Sequence, residues 1–481
     1  MKPRLLVCCL FLQLGLGAMC FATERPNVLF ISVDDLNDWT GFAGNEQVIS
    51  PNMDRLAQEG VWFSKAFCQY PVCAPSRASV MSGVYFHQLQ SEKTGVKDEF
   101  VAEKIQSMGS DLLHGYFKEH GYKTMAVGKI LHDHLPPDDL DMSGGRGGWG
   151  VYRDENGDRR KLNWMSDKTL TDWGYEEKPE DEMSDSKAAN WAVARLEENH
   201  EEPFFLMVGF LRPHVPWYVP RKYFELYDRE QLSLPPYREN DLDDIPQAGL
   251  GQFNKGYPRT EWAVKNDQWR HLIQAYFASI TFVDTKIGQV LEALDQSPHR
   301  ENTIVVLWSD HGYHMGEKTI FQKDTLWERS AAVPLIIKLP APMEAQTDKG
   351  RCDRVVGLID LYPTLVDLCG LPANDRVSGR SLRPLLADRD TKWDYPALTY
   401  RKNGSRSAQD HRYRYIEYGD GTMELYDHKR DPHEWDNVAE DSQYSDILKR
   451  LKSKLSRWHV GQNSDVSGLG NVPINSGNPP N

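Results

Sequence analysis

Asn27-Val28-Leu29-Phe30-Ile31-Ser32-Val33 runs without interruption into Asp34-Asp35. A short run that is apolar on both of its alternating faces and ends in acids reads as a strand buried on two sides. That is the signature of a parallel sheet covered by helices. Three other runs have the same form. Tyr122–Val127 leads into Gly128-Lys129 and His132, Phe204–Phe210 into Arg212-Pro213-His214, and Thr303–Trp308 into Ser309-Asp310-His311-Gly312. Amphipathic stretches at about 52–60, 109–120, 185–199 and 268–296 read as helices between them, the third begun by Ser184 or Ser186. In open α/β sheets, ligands bind outside the carboxyl ends of the strands. Four strands that deliver acids, lysines and histidines to one edge therefore predict a single site there. The expected fold class is α/β: a large, mostly parallel sheet sandwiched by helices, with a smaller C-terminal α+β subdomain.

Outward from these strands the pattern changes twice. Residues 133–183 are rich in Gly, Asp and Pro, carry Trp149, Trp164 and Trp173, and show no steady period. A long excursion of this kind in a compact domain serves function or moves. A strand at Val333–Lys338 and a helix at Asp360–Leu368 continue the main pattern. Past about residue 392 it gives way to short strands at Tyr413–Tyr418 and Glu424–Tyr426, then Asp431-Pro432-His433-Glu434-Trp435 and a helix over about 443–458. The expected organisation is a catalytic domain over 23–390, a C-terminal subdomain over 391–463 and a disordered tail over 464–481.

The first 22 residues stand apart. Lys2 and Arg4 precede an apolar run from Leu5 to Met19, and small Cys20 and Ala22 end it. This reads as a secretory signal peptide cleaved after Ala22, and the expected location is periplasmic or secreted. A lipoprotein site at Cys20 is a poor match, because Gly17 stands where a large aliphatic residue is preferred. No other apolar run approaches membrane length, so no membrane partner is expected. Removing Lys2 and Arg4 takes the formal net charge from −14 to −16, which excludes nucleic-acid binding through a general positive field. Any anionic substrate must meet positive charge concentrated at the site. Of the cysteines outside the leader, Cys68, Cys73, Cys352 and Cys369, the last two can pair, but free buried thiols are the expected state.

Two groups of residues carry chemistry. Asp34, Asp35 and Asp310, with His311 beside them, reach one sheet edge from two strands. Read alone, Asp34-Asp35 is a solvated pair or a helix cap. Gathered with Asp310, these hard oxygen donors call for a cation, and carboxylates suit Ca²⁺ or Mg²⁺ better than zinc. The second group is Cys73-Ala74-Pro75-Ser76-Arg77 followed by Met81-Ser82-Gly83. It matches C-x-P-S-R-x-x-x-M-S-G, seven fixed positions in an eleven-residue window, whereas a lone C-x-P-S-R would be weak.

That motif resembles the signature of the type I sulfatases, of the alkaline phosphatase superfamily, and the chain is most similar to the iduronate-2-sulfatase branch. The resemblance spans most of residues 26–440. It rests on Val33-Asp34-Asp35, the Cys73 motif, Gly128-Lys129-Ile130-Leu131-His132, Arg212-Pro213-His214-Val215-Pro216, Ser309-Asp310-His311-Gly312 with Gly316-Glu317, Lys323 and Asp427 onward. It implies that a formylglycine-generating maturase oxidises Cys73 to formylglycine, and that Ca²⁺ is held by Asp34, Asp35, Asp310, His311 and residue 73. It also implies Arg77 and Lys129 beside the nucleophile, His132 as the base that later breaks the covalent intermediate, and His214 and Lys323 on the sulfate and the leaving oxygen. Lys318 stands where the common pattern carries His. A hydrated aldehyde offers one hydroxyl to attack sulfur and a second whose deprotonation expels sulfate, which a serine cannot do. A protonated His214 would donate to the departing sugar oxygen.

Outside that resemblance, each of His132, His134, His214, Lys129 and Lys323 has a plain reading as a surface or loop residue. The implied substrate is a sulfated glycan, attacked at a chain end and containing uronate or another polysaccharide-derived sugar. Trp217, Arg159, Arg160, Lys161, Trp149 and Trp164 are candidates to stack on a sugar or pair with its carboxylate, or are ordinary loop and core residues. Two alternatives use the same residues: a phosphodiesterase or phosphonate monoester hydrolase, and a non-catalytic sulfoglycan-binding relative. The latter would have lost the cysteine or a metal ligand, and this chain has lost neither.

Overall fold

A computed structural model describes residues 25–89, 97–136, 139–148 and 160–459. The expected leader with Cys20, Trp149, Arg159 and the 464–481 tail lie outside the described residues. The main sheet is built from β1 (Asn27–Asp34), β2 (Val61–Phe67), β3 (Lys123–Gly128) and β4 (Met142–Ser143). β5 (Trp173–Glu176) pairs in parallel with β7 (Trp217–Pro220) as a separate two-stranded sheet, and β6 (Phe204–Pro213) joins the main one. Then follow β8 (Thr303–Ser309), β9 (Ala332–Val333), β10 (Leu335–Lys338) and β11 (Gly350–Gly357). The spatial order is β11-β2-β10-β8-β1-β6-β3-β4, with β9 on β2. Neighbours are parallel except where β10 meets β8 and β2, and where β9 meets β2.

β1 shows why the sheet is covered on both faces. Val28 and Phe30 point into one core, with Ile304, Val306, Trp308, Phe205 and Met207 from the neighbouring strands. Leu29, Ile31 and Val33 point into the other, with Val305, Leu307, Leu206 and Val208. Helices at Cys73–Ser82, Leu113–Glu119 and Leu361–Leu368 cover the first face, and helices at Pro51–Glu59, Ser184–Leu196 and Trp269–Gln296 the second.

The expected strands and helices are present, and the differences have local causes. Val333–Lys338 is split into β9 and β10 at Pro334, which has no N–H to give a ladder. Met183, rather than a serine, stands at the cap of the Ser184–Leu196 helix. β2, β11 and the Cys73–Ser82 helix carry no clear period, because their polar residues are held by tertiary partners: Ser64 by the Cys352 carbonyl (3.3 Å) and Asp353, and Arg77 by Asp310. Cys68, Cys73, Cys352 and Cys369 are all free and buried.

The C-terminal region forms an antiparallel sheet of β12 (Ala397–Tyr400), β13 (Arg406–Gln409), β14 (Tyr413–Glu417) and β15 (Met423–Asp427), closed by the Ser445–His459 helix. It docks on the segment that precedes Cys73. Thr399 Oγ1 donates to the Cys68 carbonyl (2.7 Å) and Tyr400 N to the Gln69 carbonyl (2.8 Å). No helix among the described residues is long and apolar enough to cross a membrane.

Two glycines set how the chain leaves β3. Gly128, at φ +81°, faces Gly209 in β6, and the Lys129 amide donates to the Gly209 carbonyl at 3.0 Å. A Cβ on Gly209 would stand 2.0 Å from the Lys129 carbonyl oxygen and 2.6 Å from its nitrogen, so the backbones could not keep this approach. Gly209→Ala is expected to cost about 1–3 kcal/mol of stability, as overpacking does. It should also displace Lys129, so a thermal melt and turnover are expected to fall together. Parent-like values of both would show that the approach is not required.

Candidate active site

β8, β1, β6 and β3 lie side by side, so the four strands whose ends carry the candidate residues converge on one edge. Asp34 closes β1 and is fully buried, as are Asp35, Asp310, His311 and Arg77. Asp35 takes a left-handed backbone (φ 64°), which costs a non-glycine residue about 1–2 kcal/mol. Two bonds hold it there. Its amide donates to Asp310 Oδ1 at 3.2 Å and its carbonyl accepts from Tyr276 Oη at 2.8 Å. Cys73 is the first residue of the Cys73–Ser82 helix, so its side chain sits at the positive end of the helix dipole. Lys323 Nζ lies 3.0 Å and His311 Nε2 3.3 Å from Cys73 Sγ.

Positive side chains are interleaved with the acids. Lys129 Nζ pairs with Asp34 Oδ2, Arg77 Nε with Asp310 Oδ2 (2.8 Å) and Lys323 Nζ with Asp35 Oδ1 (2.6 Å). Arg77 also donates to Ser32 Oγ (3.1 Å) and to the carbonyls of Lys129 and Ile130, so one guanidinium fixes both an acid and the Lys129 turn. His311 Nδ1 donates to the Gly312 carbonyl (3.0 Å), and its Nε2 faces Cys73 and Asp35 Oδ1 (3.4 Å). A second bond of this kind fixes the tautomer of a metal-binding histidine.

The donor set could hold a divalent cation. One ligand atom each from Asp34, Asp35, Cys73 and His311 falls within 4.8 Å of the others. Asp34 Oδ1 and Asp35 Oδ2 are buried and accept no hydrogen bond among the described residues. Asp310, expected as a fifth ligand, is not in that group. Its Oδ2 takes Arg77, while its Oδ1 takes the Asp35 amide and the His311 amide (3.0 Å) and stands 3.7 Å from His311 Nε2.

The electrostatics separate the carboxylates. Burial pushes Asp34 up, but Lys129, His214, Arg77 and Lys323 outweigh it and hold the group well below the usual range. Burial, with the Asp34 charge adding to it, pushes Asp35 up to about 7 despite Lys323. Burial and Asp34 also raise the Cys73 thiol. Lys323, surrounded by Asp35, Cys73, Asp34 and Asp310, is held well above a lysine's ordinary value although burial opposes its charge.

His132 and His214 lie on loops beside this cluster. Burial and then Lys129 lower His132 to about 4, so it is neutral and able to take a proton. Burial and then Lys323 push His214 well below its ordinary value, and its Nδ1 donates to the Val215 carbonyl at 2.6 Å. Both features favour the neutral imidazole with its proton on Nδ1. His134 is structural, bonded to the Gly128 carbonyl (2.7 Å) and Ser143 Oγ (2.9 Å).

The candidates for sugar contact have partners within the protein. Trp217 is fully buried, gives Nε1–H to the Pro213 carbonyl (2.6 Å) and packs on Tyr276 and Tyr313, so it is core. Lys161 Nζ is spent on the carbonyls of Thr169 and Thr171, Arg160 on the Tyr175 carbonyl, and Trp164 Nε1–H on the Gly256 carbonyl. Sequence reasoning passed over Asp98, Asp185 and Asp172, which hold the loops around the site through backbone amides. Asp98 and Asp185 stand in the first turns of helices, where an acid reads as an ordinary complement to the helix dipole.

Lys318 departs from the family pattern and is buried at φ 53°, its Nζ bonded to Asp241 Oδ1 (2.8 Å) and the Glu434 carbonyl. It ties the loop before Lys323 to the Asp431–Trp435 segment.

A profile of the family described as Sulfatase matches residues 26–371. The chain belongs to the sulfatase family. A second profile, described as N-sulphoglucosamine sulphohydrolase, C-terminal, matches residues 316–461 of the sulfatase. The sulfatase is 40% identical over 455 residues to a Formosa agariphila protein named Sulfatase, covering 91% of this chain and 87% of that one. It is 31% identical over 420 residues to Iduronate 2-sulfatase of Mus musculus, covering 76% and 74%. A solved structure described as a 2-O GAG sulfatase superposes with a TM-score of 0.69 at 25% identity, covering 91% and 92%. A phosphonate monoester hydrolase of Agrobacterium radiobacter superposes at 0.73 with 22% identity over 91% and 96%, a likeness of fold alone.

With the Asp35 carboxyl at about 7, a divalent cation must displace its proton at lower pH. Calorimetric titration of the metal-free protein with Ca²⁺ is expected to release close to one proton per ion well below pH 7 and little well above it. Affinity should rise up to about pH 7 and then level. Because the folded carboxyl lies above its unfolded value, the metal-free protein should lose stability as pH climbs from about 4 to about 7. Ca²⁺ should restore that loss. A proton count independent of pH would rule out Asp35 as the titrating ligand.

Proposed function

We propose that this sulfatase hydrolyses a sulfate ester on a uronate-containing saccharide, at a chain end, using a formylglycine at position 73 and Ca²⁺. The observation that carries the reading is the place of Cys73. It stands at a helix N-terminus, with Lys323 3.0 Å and His311 3.3 Å from its sulfur, beside two carboxylates with vacant lone pairs. Its Sγ marks where a formylglycine would carry its oxygens. The names of the mouse relative, an iduronate 2-sulfatase, and of the 2-O GAG sulfatase neighbour support a uronate 2-sulfate. The apolar leader of residues 1–22 supports export to the periplasm or beyond.

Hydrolysis converts sulfate ester and water into alcohol and hydrogensulfate. Residue 73, as a hydrated aldehyde, supplies a nucleophilic hydroxyl and a second one that allows release. Asp34, Asp35 and His311 would hold Ca²⁺, which would supply Lewis acidity to the sulfate. The chain's own groups do the rest. Arg77 orders Asp310 and the Lys129 turn, so Lys129 and Lys323 meet the sulfate charge without reorganising. Lys323 keeps its proton beside residue 73. His132, neutral, accepts a proton when sulfate is released. His214 presents an unprotonated Nε2 and becomes a donor only once the sulfate's negative charge offsets Lys323 and Lys129.

Protein made with a formylglycine-generating maturase is expected to show loss of sulfur and gain of oxygen in the peptide that contains Cys73. An intact thiol would remove the nucleophile and favour a binding role. Cys73→Ala should keep the fold and abolish turnover. On matched sulfate and phosphate or phosphonate esters, sulfate release should dominate; the reverse preference would favour the phosphonate hydrolase reading. His214→Ala should slow alkyl sulfates by about 10²–10⁴, the usual worth of general acid catalysis, and aryl sulfates far less. An equal loss on both would dismiss His214 as the donor.

A further inference from the structure

Asp98 has no part in the site as described, yet it is one of the most fully engaged carboxylates near it. It opens the Asp98–Ser107 helix and is only 6% exposed. Its two oxygens accept three consecutive backbone amides: Oδ1 that of His132 (3.1 Å), and Oδ2 those of Asp133 (2.8 Å) and His134 (3.0 Å). The loop is held again on its far side. The Leu131 amide donates to the His134 carbonyl (3.1 Å), and Arg146 Nε reaches the His132 carbonyl (3.4 Å). Upstream, Arg77 takes the carbonyls of Lys129 and Ile130. From Lys129 to His134 the backbone thus passes from a buried cation that collects its carbonyls to a buried anion that collects its amides.

The His132 Nδ1 lies 3.8 Å from Asp133 Oδ1, on a side chain about a third exposed. The point from which the imidazole projects is set by its backbone, and the three bonds to Asp98 fix that backbone. Burial pushes the Asp98 carboxyl up to about 6 while the three amides pull it down, so it is ionised at neutral pH and suited to charge-assisted bonds.

We propose that Asp98 is a positioning residue for His132, holding the 132–134 loop so that the imidazole can take the proton whose removal releases sulfate. This rests on the reading of His132 as the releasing base. The step it serves balances simply. The second hydroxyl on residue 73 gives its proton to His132, its O–H electrons form the aldehyde C=O, and the bond from that carbon to the sulfate oxygen breaks with its electron pair leaving on sulfate. A loop out of place should slow this half of the cycle and leave the first half and substrate binding nearly intact.

Asp98→Asn is the sharp variant, because its amide group must turn a donor toward at least one of the three loop amides. With formylglycine-loaded, Ca²⁺-replete enzyme and an aryl sulfate, kcat is expected to fall about 10- to 100-fold, part of what a general base supplies, with KM falling alongside so that kcat/KM is little changed. Rapid quench should show a burst of one phenol per site. Intact mass should show enzyme heavier by one sulfuryl group, as in His132→Ala run alongside. In the thiol form, deuterium exchange of the 131–135 segment should rise while the Cys73–Ser82 helix stays protected. Asp98→Glu, which keeps the charge but lengthens the arm, should accumulate less sulfated enzyme, and it stands in if Asp98→Asn fails to fold. Parent-like turnover in whichever variant folds, or a loss of kcat without sulfated enzyme while His132→Ala accumulates it, would overturn the role of Asp98. If His132→Ala also fails to accumulate it, the assignment of His132 falls, and the role of Asp98 with it.

Discussion

Everything near the site follows from carboxylates buried at the ends of β1 and β8. Asp34, Asp35 and Asp310 are fully withdrawn from water, and unpaired charges in such a place would cost several kcal/mol each. Lys129 pairs with Asp34, Lys323 with Asp35, and Arg77 with Asp310 and, at 4.0 Å, with Asp34. The pairing is incomplete, since one oxygen of Asp34 and one of Asp35 accept nothing among the described residues. A structure built only for stability would replace this cluster with apolar side chains. Keeping it leaves a strongly polar point where an anion can be bound and a cation held.

The cluster can stand because the surrounding loops are fixed by backbone, not by packing alone. Asp185 accepts the amides of Leu211 and Arg212 just before His214, and Asp172 those of Asn163, Trp164 and Trp173. Asp98 does the same for the His132 loop. In each case one buried carboxylate satisfies several amides that would otherwise be orphaned where the chain leaves regular structure. Irregular backbone is thereby made rigid at the places where side chains must be aimed to a fraction of an ångström.

The C-terminal sheet belongs to the same construction. Arg401, just past β12, holds Asp324 through two guanidinium bonds of 2.8 and 2.9 Å, and Asp324 follows Lys323. Asp324 N in turn bonds to the Pro71 carbonyl (3.0 Å), two residues before Cys73. Arg414 is buried between Glu328 and Glu434, and Lys318 reaches Glu434 from the loop before Lys323. These contacts join residues after 390 to the segments that carry Lys323 and Cys73.

The sequence alone determined the sheet, the edge on which the site lies and most residues that meet there. Strand runs ending in Asp34, Lys129, His214 and Asp310 are local patterns, and alternation of apolar side chains is written in the chain. It did not determine which polar residues face one another, because pairing depends on the spatial order of β8, β1, β6 and β3 and not on their order in the chain. Only the tertiary structure joined Asp310 to Arg77, sent Trp217 into the core and set His214 where burial and Lys323 disfavour its charge. Only it gave Asp98 a task, since an acid at a helix start looks the same whether it faces solvent or three amides of a loop 34 residues away.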